Sequence, residues 1–174
     1  MDKLNIQNRS KIRPDAIIMK HLKQAKESCK DSSGYNDMRE YEIAVKRADS
    51  QKIEKGKEFE EAADAIISHH LTYLAKSTPP YLSASDMGHY ERVCEFAKEH
   101  DRELCEKAKD VAYKIILRRF ESAIDCSRHI SGTSDIYHLE GGLDFATKHK
   151  FELNGEATKA LEAVVAHHPK YKAK

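Results

Sequence analysis

Apolar side chains recur along this chain with the spacing of amphipathic helices, in two kinds of stripe that alternate. The shorter stripe runs Met38, Tyr41, Val45, Ala48, then Met87, Tyr90, Cys94, Ala97, and finally Ile136, Leu139, Leu143, Ala146. Its steps of three, four and three trace one helix face. The longer stripe begins Phe59, Ala62, Ala63, Ile66, Ile67, His70, Leu71 and Leu74. It returns as Ala108, Val111, Ala112, Ile115, Ile116, Arg119, Phe120, Ala123 and as Ala157, Ala160, Leu161, Val164, Val165, His168. A stripe this wide predicts a helix packed between neighbours rather than lying on a surface. Pro169 ends the last copy, and a half-copy opens at Pro14, a residue that suits the first turn of a helix.

The copies are in register at an offset of 49 residues: residues 85–108 match 134–157 at ten of 24 positions. Asp64-Ala65-Ile66-Ile67 likewise falls on Asp15-Ala16-Ile17-Ile18. A period of this length predicts a tandem array of supersecondary units. The expected fold is therefore all-α, an α-solenoid-like array of helical hairpins with three and a half units and seven helices. Closure into a compact bundle is the alternative. One all-helical domain spans 1–174, with a capping half-unit at 14–30, hairpins at 36–76, 85–128 and 134–168, and a tail at 169–174. Asn36-Asp37, Ser85-Asp86 and Ser134-Asp135 are expected as N-cap and first-turn residues, with Asp37-x-x-Glu40 as a capping box. The pattern resembles no named repeat family: tetratricopeptide and ankyrin periods are shorter, and HEAT and armadillo signatures are absent.

Composition narrows the class. Charged residues make up 34% of the 174 positions and only seven are Gly and four Pro, which favours ordered helix. The net charge of +1 lacks the strongly basic footprint of a dedicated nucleic-acid protein. No apolar run is long enough for a membrane span, Met1 to Arg13 has no secretory signal, and the cysteines Cys29, Cys94, Cys105 and Cys126 show no CxxC spacing. These features predict a reduced, cytoplasmic protein without disulfides.

Candidate chemistry emerges from the repeat. Behind each Ala-Ile-Ile-type core lies a polar pair: Lys20-His21, His69-His70, Arg118-Arg119 and His167-His168. Stacked second helices would line these into a ladder able to grip an acidic peptide, a phosphate or a nucleic-acid backbone, with binding that strengthens below about pH 6.5. The competing structural account puts one member of each pair on the buried stripe and the other on the polar face near a helix C-terminus. His100 and His149 coincide in register at the turn between the two helices, where a C-terminus favours a cation, and His89 coincides with His138. Neither pair predicts a metal site, and no metal or cofactor is expected.

Gly141-Gly142 lies inside a helix, so it predicts close packing or a kink rather than a phosphate loop. Glu58, Glu60, Glu61 and Asp64 read as a solvated face, and Pro79-Pro80-Tyr81 as a linker with polyproline character. No nucleophile–base–acid set or paired-carboxylate arrangement recurs, so an enzyme is not the favoured reading. A non-catalytic interaction or scaffold module is, with another protein or self-association as the partner; self-association would use the Ala-rich face Glu162 to Ala166. Polyanion or nucleic-acid binding through the ladder is the alternative.

Overall fold

In a computed structural model of the chain, the described residues are 14–29, 35–76, 84–104, 106–129, 132–153, 155–169 and 171. Among them are seven α-helices and no strand: α1 (Pro14–Ser28), α2 (Asn36–Gln51), α3 (Lys57–Lys76), α4 (Ala84–Glu99), α5 (Glu106–His129), α6 (Ser134–Lys148) and α7 (Gly155–His167). None is long and apolar enough to cross a membrane. The Pro79-Pro80-Tyr81 linker, Cys105, the leading residues Met1 to Arg13 and most of the tail lie outside the described residues. The chain divides within α3 into two compact units, Met1–His69 and His70–Lys174.

In the first unit α1 packs along α2. Ile18, Leu22 and Ala25 of α1 are buried, as are Met38, Tyr41, Ala44 and Ala48 of α2. Phe59 of α3 meets Tyr41 edge-on, with ring centroids 6.1 Å apart. In the second unit α5 is the central element, packed against α6 and α7 and, less extensively, against α4. Its stripe Ala108, Val111, Ala112, Ile115, Ile116, Phe120 and Ala123 is buried throughout. Wide stripes belong to helices with several neighbours, and α5 has them.

The short stripe differs from its expected form by one residue. Ala44, Val93 and Gly142 are buried, whereas Val45, Cys94 and Leu143 are only partly covered. The reason is visible at Gly142, where a Cβ atom would lie 2.8 Å from Cε1 of Phe120 and 3.2 Å from Cβ of Arg119. The α5–α6 approach is too close there for any side chain. Gly141 is less constrained, since the atoms its Cβ would meet, the nearest at 2.9 Å, are the guanidinium end of Arg119. Gly142 therefore serves close packing.

Helices α2, α4 and α6 end in the same way. Lys52, Asp101 and Lys150, spaced 49 apart, all have left-handed backbone, with φ of 54°, 52° and 57°. The next residue's N–H reaches back to an alanine carbonyl in each case: Ile53 to Ala48 at 2.9 Å, Arg102 to Ala97 at 2.8 Å and Phe151 to Ala146 at 2.9 Å. A second bond runs from Lys52 N to Asp49 O, Asp101 N to Lys98 O and Lys150 N to Thr147 O. These are Schellman closures, which satisfy the last free carbonyls of a helix. Glycine normally holds the left-handed place because it lacks a Cβ, yet here it is Lys, Asp and Lys.

The helix starts depart from expectation. The N-cap positions of α2 and α6 are Tyr35 and Thr133, and neither makes a side-chain cap. Buried Asp37 and Asp135 instead accept the N–H of the following residue, Met38 at 2.8 Å and Ile136 at 2.9 Å. Nor does Glu40 close a capping box, because it pairs with His21 across the α1–α2 interface.

Candidate functional site

The polar pairs on the longer helices, expected as a ladder, are placed individually as follows. His21 Nδ1 lies 2.7 Å from Oε2 of Glu40. His70, buried, has its Nδ1 2.7 Å from Nε2 of His89. Arg119, also buried, donates from Nη1 to Nδ1 of His138 at 2.9 Å and from Nε to the Met87 sulfur at 3.1 Å. The His21–Glu40, His70–His89 and Arg119–His138 contacts each join residues 19 apart, and each is displaced by 49 from the one before. One position on α1, α3 and α5 thus meets one position on the helix that follows, α2, α4 and α6. The chemistry differs each time: carboxylate with imidazole, imidazole with imidazole, guanidinium with imidazole.

The first members of the pairs lie nearer the surface. Lys20 is exposed. His69 is partly covered. Arg118 donates to the carbonyls of Leu74 and Ala75 at 3.1 and 3.3 Å, closing the C-terminus of α3, and its Nη1 stands 3.6 Å from Oδ2 of buried Asp86. A cation on the last carbonyls of a helix is favoured by the helix dipole. Asp86 and Asp135 are counterparts at the 49-residue offset, and Asp135 receives both members of the last pair. His167 Nδ1 is 2.7 Å from its Oδ2 and His168 Nε2 is 3.0 Å from its Oδ1.

Electrostatics follow burial. Burial by itself would raise the Asp135 carboxyl, but the hydrogen bonds from His167, His168 and the Ile136 N–H outweigh it and hold the group below the usual carboxylate range. His138 is pushed down by burial and then by the Arg119 charge, so it presents a lone pair to the guanidinium, which can only donate. His149 is lowered chiefly by burial. Its ring packs against Phe145 and Tyr90, with centroids 4.4 and 5.4 Å away, and its Nε2 is buried without a hydrogen bond. The expected cation at this helix end is therefore, at His149, a neutral aromatic packing element. Burial, then the charge of Asp37, pushes the Cys29 thiol up to about 12. Burial also raises Cys94 and Cys126. None of the three is poised as a nucleophile.

The acidic run Glu58, Glu60, Glu61 and Asp64 is exposed, with Glu61 held between Lys26 and Lys57. Close by, on α1, is a groove of about 480 Å³ lined by Met19, Lys20, Leu22, Lys23, Lys26 and Glu58. Leu22 is buried at its floor while Met19 is 47% exposed.

The contacts across 19 residues escaped the sequence analysis, although a signal was present. Positions 21, 70, 119 and 40, 89, 138 all carry polar residues, and the 49-residue offset aligns both sets. The convergence of His167 and His168 on Asp135 needed the fold, because the residues are 32 and 33 positions apart. No known family model, curated protein or solved structure matches this chain.

Proposed function

We propose that this protein is a non-catalytic interaction module: an array of three and a half helical hairpins whose surface holds an acidic, amphipathic segment of another polypeptide. The array reading draws support from the in-register Schellman closures and the in-register polar contacts. Neither recurrence is required of unrelated helices. The binding reading is carried by the groove on α1. Its floor is apolar, a large side chain is left exposed at Met19, and Lys20, Lys23 and Lys26 line it beside Glu58, with Lys23 and Lys26 also paired to Glu27 and Glu61. That combination fits apolar anchors flanked by carboxylates. Polyanion binding through the ladder draws less support, since His70 and Arg119 are buried and engaged within the protein.

A display library of amphipathic helical peptides, selected on the intact protein, tests the proposal. Enrichment of acidic peptides with two apolar anchors is expected, with affinity reduced at least about tenfold by Met19→Glu, the size of a lost central anchor. Raising salt should weaken such binding only modestly. The opposite result, heparin or an oligonucleotide bound with a steep salt dependence and no peptide enriched, would refute it.

A further inference from the structure

We infer that Asp135, His167 and His168 form a binding site for a first-row divalent metal ion of the zinc class. The three side chains can offer one ligand atom each, all within 4.8 Å of one another. Asp135 is 1% exposed, and both its oxygens already face an imidazole nitrogen, at 2.7 and 3.0 Å. Zinc bonds of about 2.0–2.2 Å in tetrahedral geometry place ligand atoms roughly 3.4 Å apart. The two hydrogen-bonded distances are shorter than this and the spread of up to 4.8 Å among single ligand atoms is wider, so the side chains have to shift by about 1 Å to admit an ion.

The two histidines lie where the chain leaves its helix. The His168 N–H still donates to the Val164 carbonyl at 2.8 Å, Pro169 bars further helix, and the Tyr171 N–H donates to the His168 carbonyl at 2.8 Å. The two rings come to lie with centroids 4.2 Å apart. Two imidazoles and one carboxylate are a zinc donor set with a fourth position left for water, whereas calcium and magnesium call for oxygen ligands.

Comparison within the chain sharpens the inference. The counterparts of Asp135, His167 and His168 at the 49-residue offset are Asp86, Arg118 and Arg119. A guanidinium has donors only and cannot ligate a metal. The last position keeps the buried carboxylate but has two lone-pair donors where the copy before it has two fixed cations, a set of residue types that also occurs at Asp37, His69 and His70. A bound ion would supply the positive charge that the arginines supply earlier, and would tie the start of α6 to the end of α7.

The test uses the full, untagged chain stripped with a chelator and titrated with Zn²⁺ alone against a chromophoric competitor. One equivalent should bind with a Kd on the order of micromolar or below, and saturating zinc should raise Tm by about 5 °C. The His167→Arg/His168→Arg double variant recreates the side chains found at Arg118 and Arg119. It should retain the helical circular dichroism of the parent and lose zinc affinity by at least about 100-fold. Asp135→Asn provides a second variant with the same expected loss. No uptake by the wild-type chain at roughly 100 µM zinc, or undiminished uptake by the folded double-arginine variant, overturns the inference.

Discussion

Gly142→Ala pits two effects of opposite sign against each other. Replacing a glycine inside a helix by alanine is worth about 1 kcal/mol in its favour. The new methyl, however, would stand 2.8 Å from Cε1 and 3.2 Å from Cδ1 of Phe120, where unstrained carbons keep about 3.5–4.0 Å. The ring cannot swing into solvent because Phe120 is only 2% exposed, and overpacking of this kind costs about 1–3 kcal/mol. A net loss of about 1 kcal/mol is expected, or a fall of about 2–4 °C in Tm for a chain of this size. Gly142→Val should lose more. The 49-residue offset supplies the rescue, because the counterparts of Phe120 and Gly142 are Leu71 and Val93, both fully buried. Phe120→Leu alone should cost about 1–2 kcal/mol for the space it leaves. Combined with Gly142→Val it should recover most of both losses, with a coupling energy of about 2 kcal/mol. Urea unfolding of the four proteins closes the cycle. Additive losses, or a Gly142→Ala variant more stable than the parent, would refute the steric argument.

Two further outcomes follow from local geometry. Glycine at Lys52, Asp101 or Lys150 removes a Cβ from left-handed backbone and should stabilise the chain by about 0.5–1 kcal/mol per site in thermal unfolding; a loss at all three would contradict the cap assignment. The lowered values of His138 and His149 mean that the unfolded chain binds more protons just below about pH 6.5. Stability present above that pH should therefore decline as pH falls towards the folded-state values. His149→Phe, which keeps an aromatic ring beside Phe145 and Tyr90, should flatten the decline when urea midpoints at pH 7.5 and 5.5 are compared, and an unchanged slope would count against it.

The seven helices were legible because 3.6-residue periodicity is strong in long amphipathic segments and Pro14 and Pro169 punctuate it. The rotation of the short stripe was not. Ala44 beside Val45, and Gly142 beside Leu143, look like the weaker core candidates until the neighbouring helix is close enough to demand small residues. Glu40 shows the same limit for polar groups. Its spacing from Asp37 satisfies a capping box, but His21 offers a partner that local sequence cannot reveal. The ladder residues lie on α1, α3, α5 and at the end of α7, while their engagement depended on which helix came next. His167 and His168 illustrate this most plainly, since the carboxylate they share belongs to another helix.

The tight fit of Phe120 against Gly142 has a consequence for the route by which the chain reaches this fold. Tandem segments that share one apolar pattern invite mistaken identity, as one copy's helix settles into the berth of another and traps the chain in a swapped arrangement. Bulk at these two positions tells the copies apart. Phe120 brought against Val93 would drive an aromatic ring into a branched side chain, and Leu71 brought against Gly142 would leave a hollow. Each wrong match is penalised when the helices meet, so the sizes of two side chains act as an address label for copies that share one apolar pattern.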